Sequence, residues 1–182
     1  QGPTSITTQR GQRTATVTVS PSTDDLNAAS ATVTTALDEV DLPDGALVLL
    51  CEGVEKPGNL GAMLRTADAA GIDLVVAVDP VTDWGNPNVV RGSKATVFSV
   101  PVASATLGET IAWLADHGVR HLATTPDTET VHTDVDWSGP VAFSVGTEKY
   151  GLTDAALEAA DTARKASASA ALIGAISMLI GA

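Results

Sequence analysis

Five short apolar runs, at residues 46–51, 72–78, 97–102, 119–123 and 141–145, restrict this chain's fold more than any other feature. Each has strand length and little polar alternation, so each demands burial on both faces. Helix-length segments at 60–70, 105–117 and 153–162 lie between or after them, with stops at Gly71 and Gly118. Strands that are apolar on both faces and separated by helices predict an α/β fold: a mostly parallel sheet flanked by helices. A sheet of that kind holds its ligand beyond the carboxyl ends of its strands. The segments to search are therefore 52–65, 124–127 and 146–152.

Strong punctuation at Leu42-Pro43-Asp44-Gly45 divides the chain. Residues 1–44, rich in Thr, Ser, Asp and Ala, read as a short and incomplete N-terminal segment, and 45–182 as the main domain. The length of 182 residues suits one α/β unit with an appendage. Cys51 is the only cysteine, which excludes an intramolecular disulfide framework and a Cys-rich zinc site and fits a reducing, cytoplasmic setting. The uncharged tail 166–182 is rich in Ala, Ser and Gly, and reads as a buried helix rather than a membrane span. Ten Lys and Arg stand against 22 Asp and Glu, and the net charge of −12 excludes a general polycationic grip on nucleic acid while leaving room for a local basic site. Aromatic residues, at 3%, argue against a sheet that stacks bases on exposed rings.

Three segments carry unusual chemistry. In the first, the polar turn 52–61 leads into a helix, with Asn59 expected at the N-cap, Gly61 allowing close approach to the first turn, and Arg65 one turn in. The macrodipole disfavours an arginine near a helix start, so a bound phosphate is the expected reason for it. Neither GxxxxGK[ST] nor GxGxxG is present, and nucleotide binding of those two kinds has no support. In the second, Arg91, Ser93 and Lys94 surround Gly92, a pattern that fits a solvated turn and a phosphate contact equally well. In the third, Gly146 and Gly151 flank Glu148 and Lys149 ahead of a helix capped by Thr153. Glu148 is expected to be partly buried, with Arg65 or Lys149 as its partner. His117 and His121 are four apart, but Gly118 separates them, so no metal site is expected, and no GxSxG elbow exists.

Taken together, these segments resemble the SpoU family of the SPOUT RNA methyltransferases. Asn59-Leu60-Gly61-Ala62-Met63-Leu64-Arg65-Thr66-Ala67 is similar to the family's N-x-G-x-x-x-R-x-A motif. Residues 90–98 are similar to its R-x-S-x-G-x-x-F segment, with Thr96 read as replacing the usual small residue. Residues 143–152 resemble its F-G-x-E-x-x-G-L motif. The third family motif departs from the pattern: Lys165 stands where I-P-M should begin, and Ala166 onward resembles the helix that follows S-L-N, as if a cofactor loop were missing from this sequence.

The resemblance implies an S-adenosylmethionine-dependent enzyme that methylates a ribose 2′-OH of structured RNA, 23S ribosomal RNA or tRNA. It also implies a C-terminal deep trefoil knot, a homodimer sharing its active sites, and no metal. Asn59, Arg65 and Glu148 fall on the family's catalytic positions. Thr124, Gly146, Gly151, Leu152 and Ala166 fall at the cofactor, and Lys56, Arg91, Ser93, Lys94 and Lys149 are assigned to RNA. Residues 1–44 are expected to be the remnant of an RNA-binding domain. The alternative is a catalytically silent RNA-binding or dimerisation module that keeps the knotted fold.

Overall fold

The computed structural model describes residues 37–125 and 134–161, together with the backbone of 5–9 and 12–16. Strands β1 (Ser5–Gln9) and β2 (Gln12–Thr16) pair antiparallel, Ser5 opposite Thr16. The main body runs β3 (Leu47–Glu52), α1 (Pro57–Ala70), β4 (Leu74–Val78), α2 (Pro87–Gly92), β5 (Val102–Ala105), α3 (Leu107–Asp116), β6 (Arg120–Ala123), β7 (Val141–Val145) and α4 (Asp154–Ala159). Its five strands form one parallel sheet in the order β5-β4-β3-β7-β6. The expected α/β architecture is therefore present.

Burial on both faces follows directly from the apolar runs. Side chains alternate across a strand, so Leu49, Cys51, Val75, Ala77 and Phe143 fall into the layer under α1, with Leu60, Leu64 and Ala67. Val48, Leu50, Val76, Val78 and Ala142 fall into the other, with Trp113 and Leu114 of α3. Leu49 sits between Val75 and Phe143 in register, at the centre of the sheet. No helix of the described residues is long and apolar enough to cross a membrane.

Run 97–102 is not a strand. Lys94 and Ala95 adopt left-handed backbone, and Thr96–Phe98 forms a 3₁₀ turn, so the ladder starts only at Val102. Pro101 has no N–H to give a ladder, although its carbonyl accepts from Val75 N at 3.0 Å. Helix α1 begins three residues earlier than expected, because Pro57 suits a first helical position that needs no N–H. Helix α3 begins two residues later than expected, at a capping box in which Thr106 and Glu109 satisfy each other's backbone.

The chain lays β3, β4 and β5 side by side, then crosses to the far edge at β6 before β7 fills the place beside β3. Strand order reverses between β3 and β7, and in open parallel sheets the crevice outside such a reversal is where ligands bind. Residues 52–65 and 146–152, two of the three segments singled out in the sequence, begin at the ends of those two strands. Ala166 and the remainder of the tail, where the knot is expected, lie outside the described residues.

Candidate active site

The ends of β3 and of the loop after β7 are joined by a residue that the sequence reading did not select. Glu52 ends β3 and is buried, and its carboxylate accepts from Thr153 Oγ1 at 2.6 Å and from Thr153 N at 3.0 Å. Thr153 is also the N-cap of α4, where its Oγ1 accepts from Ala156 N. One buried carboxylate therefore ties the end of β3 to the end of the loop that follows β7. The available signal was a charged residue directly after an apolar strand, a position where burial forces a partner.

The loop after β7 is closed by its own hydrogen bonds. Thr147 and Gly151 each donate N–H to the other's carbonyl at 3.0 Å, and Tyr150 N donates to Thr147 Oγ1 at 3.0 Å. A Cβ at Gly146 would stand 2.1 Å from the Gly151 carbonyl carbon and 2.3 Å from Leu152 N, so only glycine fits there. Gly151 has a φ of +71° and open space where a Cβ would be, while its own N–H and carbonyl are both taken by Thr147. Thr124, just after β6, is buried, and its N–H and its hydroxyl both donate to the Ser144 carbonyl, at 3.1 and 2.7 Å.

Glu148 sits differently from expectation. It is exposed, and its partner is neither Arg65 nor Lys149 but Lys56, whose Nζ lies 3.1 Å from Oε2. The two loops leaving β3 and β7 are thus bridged by one exposed ion pair. The reason is local geometry: Lys56 is the last residue before α1, and Gly53, with a φ of +59°, turns the chain toward Thr147. Lys149 instead donates to the Tyr150 hydroxyl at 2.6 Å.

Asn59 does not cap α1. It lies at the third helical position, exposed, because the helix starts at Pro57 and Lys56 takes the cap position without a side-chain bond to the helix backbone. Two residues on, Gly61 does permit a close approach, by backbone: its Cβ would stand 2.7 Å from Ser93 N and from Val89 O. Helices α1 and α2 touch at this point.

One turn further, Arg65 Nη1 donates to the Gly92 carbonyl at 2.6 Å. Arg65 is therefore in the middle of α1 rather than near its start, and the macrodipole argument does not apply to it. Its cation caps the carboxyl end of α2, where unsatisfied carbonyls attract positive charge.

Arg91, in α2, donates to Asn88 Oδ1 at 2.6 Å, and Lys94 follows on an exposed turn. Ser93 lies behind them, fully buried, donating to the Val90 carbonyl at 3.0 Å. Its side chain has no surface to offer RNA in this arrangement, which corrects its assignment as an RNA contact. The left-handed φ of +68° falls on Ala95, four residues after Arg91, so Ala95 and not Thr96 occupies the glycine position of the R-x-S-x-G pattern.

The structure thus brings Lys56 to Glu148, puts Asn59 one turn along, and joins Arg65 to the segment bearing Arg91 and Lys94. It does not pair Arg65 with Glu148. Among the described residues no group of three His, Cys, Asp or Glu could hold a metal ion. Burial pushes the Cys51 thiol up to about 12, which keeps it protonated and out of nucleophilic chemistry.

Comparison with known proteins bears on the same residues. Residues 46–167 match the SpoU rRNA Methylase family, a stretch that includes both crevice loops and the α1–α2 contact. The 23S rRNA (guanosine(2553)-2′-O)-methyltransferase of Bacillus subtilis is 35% identical over 125 residues, 69% of this chain and 50% of that protein. A crystal structure of an RNA 2′-O ribose methyltransferase superposes with a TM-score of 0.69 at 36% identity, covering 77% of this chain and 58% of the other. An AdoMet-bound rRNA methyltransferase from Sinorhizobium meliloti gives 0.70 at 29% identity, covering 81% and 59%. The chain spans about half the length of the curated relatives it matches. Since that match spans more than half of the chain and takes in both loops beside the β3–β7 reversal, this chain belongs to the SpoU rRNA methylase family.

Proposed function

We propose that residues 45–182 form the catalytic domain of an S-adenosylmethionine-dependent methyltransferase acting on a ribose 2′-OH of structured RNA, either 23S ribosomal RNA or tRNA. The observation that carries this reading is the meeting of the N-x-G-x-x-x-R and G-x-E-x-x-G-L segments across the β3–β7 crevice, bridged by Lys56 and Glu148. The AdoMet-bound relative of similar fold supports the choice of cofactor.

Thr124, Gly146, Gly151 and Leu152, with Ala166, would hold S-adenosylmethionine. Bound there, the cofactor supplies a methyl group already activated by a sulfonium. The protein's own work is then orientation and removal of the ribose hydroxyl proton. Arg65 spends one N–H on the Gly92 carbonyl, and a guanidinium carries five, so donors remain for an RNA phosphate. Arginine is too basic to accept the proton itself, so the phosphate it holds shares that step. Asn59 and Glu148 orient the ribose, and Lys56, Arg91, Lys94 and Lys149 receive the backbone.

Five of the ten Lys and Arg residues, namely Lys56, Arg65, Arg91, Lys94 and Lys149, fall in or beside the motifs. The acidic excess is carried by the rest of the chain. The same reading includes a C-terminal trefoil knot, a homodimer, and an RNA-binding element at 1–44.

Transfer of label from methyl-tritiated S-adenosylmethionine to ribosomal or transfer RNA, followed by mapping of 2′-O-methylation, tests the reading. Label on a ribose 2′-oxygen is the expected result. Cofactor binding without transfer to any RNA would instead favour the silent module.

A further inference from the structure

The RNA contacts proposed above are all polar and leave the bases unread. Aromatic side chains are scarce in this chain, with three Trp, two Phe and one Tyr, and the core takes several of them. Trp84, Trp113 and Phe143 are buried. Tyr150, the single tyrosine, is 74% exposed and stands in the loop after β7, two residues from Glu148.

An exposed ring on a loose loop would mean little, but this loop is tight. Tyr150 N donates to Thr147 Oγ1, the Thr147–Gly151 pair closes the backbone around it, and Gly146 packs against that pair. Lys149 donates to the tyrosine hydroxyl at 2.6 Å, with its ammonium 4.5 Å from the ring centroid. The cation therefore sits toward the hydroxyl end of the ring rather than over its centre. Lys56, held to Glu148, is the next cation along the same crevice. Phe98, also exposed, belongs to a different surface: its neighbour Ser99 approaches Asp68, near the far end of α1.

An exposed aromatic ring on a hydrogen-bonded loop, with an ammonium at its edge, matches the two parts of a nucleotide, a base with a π-face and a phosphate with negative charge. We infer that Tyr150 is a stacking platform for a nucleobase of the RNA, one flanking the target ribose, with Lys149 fixing the ring. This inference rests on the RNA-methyltransferase reading and adds to it a base-directed contact.

The test compares full-length protein carrying Tyr150, Tyr150→Phe, Tyr150→Leu or Tyr150→Ala. Binding is measured by fluorescence anisotropy to hexaadenylate and to a ribose–phosphate hexamer of equal charge that lacks bases. Wild type and Tyr150→Phe are expected to prefer the base-bearing strand by roughly tenfold, the size of one aromatic–base stack. Tyr150→Leu and Tyr150→Ala are expected to lose that preference while keeping their affinity for the baseless strand and for S-adenosylmethionine. The inference is overturned if wild type shows no preference or binds neither strand, or if Tyr150→Leu performs as well as Tyr150→Phe. It is also overturned if Tyr150→Ala changes the sedimentation of the protein, which would mean that the ring packs against a second copy. Methyl transfer to ribosomal and transfer RNA by wild type, measured alongside, reports on the underlying reading alone: transfer without a base preference sinks only the stacking role.

Discussion

Glu52 and Thr153, 101 residues apart in sequence, are joined by two hydrogen bonds to a single buried carboxylate. That contact fixes the spacing of the two loops on which the candidate site is built. Bonds to a charged acceptor contribute about 1.5–3 kcal/mol each, and a donor left without its partner costs more than an exposed one. Glu52→Ala is expected to destabilise the protein by about 2–4 kcal/mol in urea unfolding and to weaken S-adenosylmethionine binding in calorimetry. Wild-type stability in that variant would mean that the anchor is dispensable.

Arg65→Ala should abolish methyl transfer while leaving cofactor affinity within a few-fold of wild type. Arg65→Lys should recover little, because a lysine cannot hold the Gly92 carbonyl and a phosphate in the same planar fork. Single-turnover assays with saturating cofactor separate the two quantities. Near-normal turnover in Arg65→Ala would remove Arg65 from the catalytic set.

The α1–α2 contact is backbone against backbone at Gly61, so Gly61→Ala has no flexible neighbour to displace. A loss of about 1–3 kcal/mol is expected from such overpacking. Ala95→Gly should act in the opposite sense, raising stability by about 1 kcal/mol, because the left-handed backbone at this position strains a residue with a Cβ. Thermal unfolding of the two variants gives both signs.

His121, on β6, is held below its usual pKa chiefly by burial, with the nearby Ala159 backbone acting the other way. The unfolded chain therefore takes up this proton first as pH falls. The associated stability is complete above the unfolded value near 6.5 and is lost progressively below it, with a slope of at most about 1.4 kcal/mol per pH unit for one proton. Urea midpoints from pH 7.5 to 5 should fall for wild type and flatten for His121→Gln. An unchanged slope in the variant would assign the effect elsewhere.

Cys51 lies in the central strand, its thiol pushed up to about 12 by burial. As the only thiol in the chain, it should stay silent to Ellman's reagent at pH 8 in native protein and react fully in guanidinium. Rapid native labelling would show that β3 is open to solvent.

The parallel sheet was legible because its evidence is local and redundant: five runs too apolar to face water, four of which became strands where expected. Run 97–102 failed because hydrophobicity there serves burial of Val97 and Val100 in a turn, and apolar content alone does not distinguish a buried turn from a strand. The two crevice loops were found by their glycines and charges. Their partners were not, since pairing Glu148 with Lys56 depends on where β3 and β7 lie relative to each other, 92 residues apart in sequence.

By itself, the sequence determined the class of fold, the family and the segments that carry chemistry, because all three are written in periodicity and in short motifs. Tertiary structure decided which cation faces which anion, that Ser93 and Glu52 are buried, and that Arg65 leans on α2. Those outcomes rest on strand order and backbone approach, and a carboxylate's partner is whichever donor the folded chain brings within 3 Å of it. No stretch of sequence states that distance. It exists only once β7 lies beside β3.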